Sequence, residues 1–152
     1  MNNFHNYNKI LVPIDGSECS KKASKHALWI ANMTNADIIL LHVADTHITQ
    51  SGYAHFFKED LYDILIDKGK KIIEDFRRDL EIYRSKCSTN VEINIKIKDG
   101  EPYDEIVKTI DDDNIDLVVM GASGRGGINR FLIGSVTERV VRKSKVPVLV
   151  VH

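Results

Sequence analysis

The chain of 152 residues is the size of one ordinary domain, and at 43% hydrophobic and 28% charged residues it has globular composition. A formal charge of -1 leaves no global excess of cations to drive binding to nucleic acid or to an anionic membrane, so any anion site must be local. Cys19 and Cys87 fit neither a disulfide framework nor a CxxC motif, and the longest apolar runs fall far short of the ~20 residues of a membrane span. A soluble, cytoplasmic, single-domain protein over residues 1–152 is expected.

Five apolar runs recur with helix-like segments between them. The first strand is expected over Ile10 to Ile14 and leads into Asp15-Gly16-Ser17, where Ser17 suits the N-cap of a helix with Ala23, Ala27, Ile30 and Ala31 on one narrow apolar side. On that helix Lys21, Lys22 and Lys25 read as the wet face, and the lone Trp29 as a core or partly exposed residue, not a stacking platform. The second strand, Ile38 to Val43, is followed by Thr46 to Lys58, the one candidate for a long, mobile loop.

A longer helix follows from about Glu59 to about Tyr83, with Leu61, Leu65, Ile72, Phe76 and Leu80 as its seam. In the third strand, Val91 to Ile97, apolar residues alternate with Glu92, Asn94, Lys96 and Lys98, which predicts an edge strand with one face in solvent. Pro102 opens a third helix through Ile106 and Ile110, and Leu117 to Met120 forms a fourth strand. A last helix from Ser135 to Lys143 precedes the fifth strand, Val146 to Val151.

Strands alternating with helices predict right-handed crossovers and an α/β fold: a doubly wound, five-stranded parallel sheet with helices on both faces. In the common order 3-2-1-4-5 the first and fourth strands lie side by side where the winding reverses, and the ligand crevice opens beyond their carboxyl ends. The topology thus nominates Asp15-Gly16-Ser17 and Gly121-Ala122-Ser123-Gly124.

The second of these belongs to GASGRGGINRFLIGSVTERVV, where Gly121, Gly124, Gly126 and Gly127 precede Gly134 at a helix start. Glycines let backbone amides approach an anion, and a helix N-terminus adds free donors and partial positive charge, which is how a phosphate cradle is built. Between Gly121 and Lys145 six basic residues (Arg125, Arg130, Arg139, Arg142, Lys143, Lys145) face one acid, Glu138. The P-loop and the dinucleotide GxGxxG patterns both fail here, and a tight turn is the plain alternative. Asp15 likewise reads either as a ligand contact or as the Asx-turn that closes the first strand. The histidines show no HxxxH or HExxH spacing, so no protein metal site is expected.

The spacing Gly121-x2-Gly124-x9-Gly134-Ser135 resembles the nucleotide-binding pattern of the universal stress protein family. ILVPIDGSECS, LLHVAD, DLVVMG and GSVTERVVRKSKVPVLVV are similar to its first, second and fourth strands and its closing helix and strand, so the resemblance spans nearly the whole chain. It implies ATP as ligand, with AMP or ADP as alternatives, a divalent cation (Mg²⁺ or Mn²⁺) held through the phosphates, and a homodimer.

Carried over by position, Asp15 would meet the ribose, Val43 with Pro13 and Ile14 would border the adenine, and Met120 and Gly121 would floor the site. Ser123, Gly124, Arg125, Gly134, Ser135, Val136 and Thr137 would surround the phosphates through amides and hydroxyls. The apolar fifth strand, at the sheet edge and guarded only by Pro147 at its start, would pair with a second copy through Val148 and Val150. A regulatory nucleotide-binding module with protein partners follows from this reading. An ATP-cleaving or nucleotide-transferring enzyme and an empty structural dimer are the alternatives, and no acid/base pair or activated nucleophile stands out for the enzyme.

Overall fold

The computed structural model describes residues 6–47, 58–87, 89–123 and 132–152. Most of the expected loop from Thr46 to Lys58, and with it the expectation of mobility, lies outside the described residues. So do Gly124, Arg125, Gly126, Gly127 and Arg130.

The elements follow one another as β1 (Lys9–Pro13), α1 (Glu18–Thr34), β2 (Asp37–Asp45), α2 (Lys58–Arg84), β3 (Ile93–Gly100), α3 (Pro102–Asp112), β4 (Leu117–Gly121), α4 (Ser135–Lys143) and β5 (Val148–Val151). The five strands form one parallel sheet in the order β3-β2-β1-β4-β5, as the alternation of elements predicts. Two apolar layers cover it. On one face, Ile10, Val12, Ile38 and Leu40 meet Ala23, Ala27 and Ala31 of α1 and Ile73 and Leu80 of α2. On the other, Leu11, Ile39, Leu41 and Val118 meet Ile106 and Ile110 of α3 and Val140 of α4. Ile10, Leu11, Leu40 and Val118 are fully buried, and each such side chain stabilises the fold by roughly 1.5–3 kcal/mol.

Local chemistry sets the boundaries. Ser17 accepts the Ser20 amide at 3.1 Å and starts α1, and the left-handed Asn35, with φ at 55°, ends it. The α3 helix opens with Pro102 at its first turn and is capped by the Glu101 carboxylate, which accepts the Asp104 amide at 3.0 Å.

Four expectations change. The third strand starts at Ile93, not Val91, and runs on to Gly100. Its polar face is not simply wet: Lys96 reaches Asp113 at 2.6 Å and Lys98 reaches Glu105 at 3.4 Å, so acids of α3 and its C-cap fold back over it. The fifth strand is shorter than expected, although the Pro147 carbonyl still accepts the Val118 amide at 3.0 Å. Trp29 stands 65% exposed on α1, outside the core.

Candidate functional site

The chain reverses its winding between β1 and β4, and a cavity of about 280 Å³ opens at their carboxyl ends. Its first wall comes from β1 and the turn after it, through Pro13, Ile14, Asp15, Ser17 and Ser20. Gly16 makes this turn possible, because its φ of 84° is one that a side chain disfavours. Within the turn Asp15 Oδ1 accepts the Ser17 amide at 2.9 Å, so the residue does close an Asx-turn. Asp15 also lines the cavity, so the turn and a place at the site are compatible.

The turn is held from below. Ile14 donates its amide to the Leu41 carbonyl at 2.7 Å, and its own carbonyl accepts Nδ1 of the buried His42 at 2.8 Å. His42 fits under α2 only because Gly69 has no side chain: a Cβ there would stand 2.5 Å from the imidazole Cδ2.

The apolar end of the cavity is formed by Leu41 and Val43 of β2, Met120 of β4, and Pro102 and Ile106 of α3. Opposite lies the start of α4, with Gly134, Ser135, Val136 and Thr137, together with Gly121 and Ser123 from the end of β4. Gly134 is the N-cap and offers no side-chain acceptor. Among the described residues no group accepts the amides of Ser135, Val136 or Thr137, so three donors at the positive end of a helix border the space. An apolar slot facing an open anion site is a shape that takes a flat heterocycle carrying phosphate.

The cavity therefore gathers eleven of the thirteen expected residues: Pro13, Ile14, Asp15, Val43, Met120, Gly121, Ser123, Gly134, Ser135, Val136 and Thr137. Gly124 and Arg125 lie outside the described residues. Ser17, which the topology nominated, also lines it, and Ser20, Leu41, Pro102 and Ile106 join the lining without having been expected there.

Details of chemistry also differ from expectation. Gly134 has φ -65° and ψ 151°, which any residue adopts, so its value lies in the room it leaves, not in its conformation. The Thr137 hydroxyl donates to the Gly121 carbonyl at 2.9 Å, which ties α4 to β4 and leaves the Thr137 amide as its free donor. The basic segment is largely neutralised where it is described. Arg139 pairs with Glu101 at 2.6 Å, Arg142 with Glu138 at 2.9 Å and Lys145 with Asp111 at 3.3 Å. An anion here would thus meet the helix amides more than those cations. Among the described residues no group of three or more His, Cys, Asp or Glu side chains could hold a metal ion, and no helix is long and apolar enough to cross a membrane.

A doubly wound α/β protein with its crevice at the switch point is the class that fold and cavity define. Residues 6–152 match the family model of the universal stress protein family, and the chain belongs to that family. It is 34% identical to universal stress protein MJ0577 of Methanocaldococcus jannaschii, over 95% of this chain and 94% of that one. The solved structure of MJ0577 superposes with a TM-score of 0.81, covering 96% of each chain at 35% identity. A universal stress protein solved in complex with cAMP is 30% identical, with a TM-score of 0.69 over 97% of this chain and 98% of the other. A family member from Arabidopsis thaliana solved with AMP bound is 25% identical, with a TM-score of 0.58 over 95% and 90%.

Proposed function

We propose that the chain is a cytoplasmic regulatory module of the stress response that binds an adenine nucleotide, ATP in preference to AMP, between the apolar slot and the start of α4. The observation that carries this reading is a row of three amides at a glycine-capped helix end that no group among the described residues accepts, facing a slot lined by Val43, Met120 and Ile106. The cAMP and AMP held by two relatives support the adenosine part. Adenine packs against Val43, Leu41 and Ile106, and the second Asp15 oxygen accepts from the ribose while the first keeps its turn. The amides of Ser135, Val136 and Thr137 donate to the phosphates. A divalent cation is held chiefly by the phosphates and water, which needs few protein ligands. The output is a change in affinity for partner proteins as nucleotide levels vary.

Calorimetric titration tests the reading. A hydrogen bond to a charged group contributes roughly 1.5–3 kcal/mol, so ATP is expected to bind at least about tenfold more tightly than AMP. Mg²⁺ or Mn²⁺ should strengthen ATP binding and leave AMP unaffected. Equal affinity for the two nucleotides would remove the phosphates from the start of α4 and leave only adenosine recognition.

The same module assembles as a homodimer through β5, which ends the sheet and carries no charged residue. Val148 and Val150 are half-buried, and Val148 packs against the α3 and α4 layer, while Leu149 is 38% exposed. Edge pairing buries Leu149 along with the backbone of both copies. Light scattering at micromolar concentration should report a dimer, and Leu149→Lys should shift it to monomer. A monomeric parent protein, or a dimer indifferent to that lysine, would rule out this assembly.

A further inference from the structure

The outer face of α1 and the carboxyl half of α2 carry apolar residues that neither the sheet nor the cavity uses. Trp29 and Met33, one turn apart on the crest of α1, are 65% and 71% exposed. On α2, Ile82 is 53% and Tyr83 43% exposed. The two helices are joined here: Lys25, one turn before Trp29, lies with its ammonium 5.0 Å from the centre of the Tyr83 ring, and Lys21 pairs with Asp79 at 3.6 Å. Large side chains exposed together in this way mark an interaction surface, where single ones would not.

Charge decides the partner. Of the nearby acids Asp79 pairs with Lys21, Asp75 with Arg78 and Glu81 with Arg84, which leaves Glu18 alone without an ion pair among the described residues. The nearby cations are in excess. Among the described residues Lys22, Lys25 and Lys86 have no carboxylate partner; Lys22 reaches the His152 carbonyl, and Lys25 and Lys86 sit over Tyr83. A second copy of the chain would set like charges against each other across a self-complementary contact, which is unfavourable. Three lysines without a sustained basic stretch or a deep apolar face make a weak membrane anchor.

We propose that this face docks an acidic amphipathic segment of another protein, whose apolar side chains cover Trp29 and Met33 while its carboxylates meet Lys22, Lys25 and Lys86. The mode is that of an amphipathic helix laid along an apolar surface, with a central aromatic anchor and a charged rim. It is independent of the nucleotide reading and stands or falls on its own.

Trp29 is the only tryptophan, so its emission reports this face directly. The probes are two synthetic amphipathic helical peptides with the same Leu and Phe stripe, one with glutamates and one with lysines at every polar position. The glutamate peptide should give a saturable blue shift, bind at least about tenfold more tightly than the lysine peptide, and weaken as salt is raised. Met33→Glu should weaken it about tenfold, and the double variant Lys22→Glu, Lys25→Glu should invert the preference between the peptides. No shift with the glutamate peptide, equal affinities, or an uninverted preference would overturn the proposal. So would a shift seen only with phosphatidylglycerol-containing vesicles, or one that grows with protein concentration as the mass doubles; these would assign the face to a membrane or to self-association.

Discussion

Gly134→Val is expected to lower ATP affinity by about a hundredfold or more while the protein stays folded. The two halves of that result have separate causes. The valine can adopt the glycine's φ of -65° and ψ of 151° without strain, and those extended angles suit a β-branched residue. Valine is a poor N-cap, which costs about 1 kcal/mol at most, since glycine itself offers no cap side chain here. Gly134 lines the cavity, however, so the added methyl groups are expected to crowd the space before the amides of Ser135, Val136 and Thr137. Losing two charge-assisted bonds at roughly 1.5–3 kcal/mol each accounts for the fall. Calorimetry gives the affinity and urea unfolding the stability. Unaltered affinity in a folded variant would place the phosphates elsewhere.

The opposite balance is expected at Gly121, where even alanine should cost about 3 kcal/mol of stability, the upper end for an overpacked site. A Cβ at Gly121 would lie 2.8 Å from the Cys19 carbonyl carbon, 2.8 Å from its Cβ and 2.9 Å from the Ser20 nitrogen. Two of those three atoms are backbone in the first turn of α1, so no side-chain rotation relieves the contact. The helix must lift from β4, and Ser17 and Ser20 move with it out of the cavity wall. A matched pair of urea curves tests this, with Cys19→Gly added to Gly121→Ala as a control that removes the side-chain clash alone. Full recovery in the double variant would show that the backbone approach is not what glycine protects.

The fold was legible because its signals are local. Four nearly continuous Ile, Val and Leu runs mark strands covered on both faces, and the cap at Ser17 and the first-turn Pro102 mark where helices begin. The glycine spacing around β4 pointed to the cavity for the same reason, since it lies in one stretch of chain. What escaped is the part that depends on which faces meet. Leu41 shares a face with Val43 by the period of two, so it was within reach. Pro102 and Ile106 were not, because they enter the wall only when α3 packs across β2 on the crossover from β3. The alternation of β3 correctly gave an edge strand, yet it cannot show that Asp113 waits for Lys96, seventeen residues away along the chain. In the same way a count of basic residues overstates the charge available near α4, since Arg139, Arg142 and Lys145 find acids in the folded chain.

The contact between Gly69 and His42 settles a question that hydrophobicity leaves open. A helix of 27 residues with Ile72 half-buried and Ile73 fully buried has two neighbouring apolar positions that could each point inward. Greasy packing alone therefore defines the rotational phase of α2 only loosely. The imidazole acts as a fixed peg and the missing side chain as its notch, and no other position in this part of the helix lacks a Cβ to collide with it. Turning α2 by one residue would bring Lys68 or Lys70 onto the ring, so the angle of the longest helix is set by one atom that is not there.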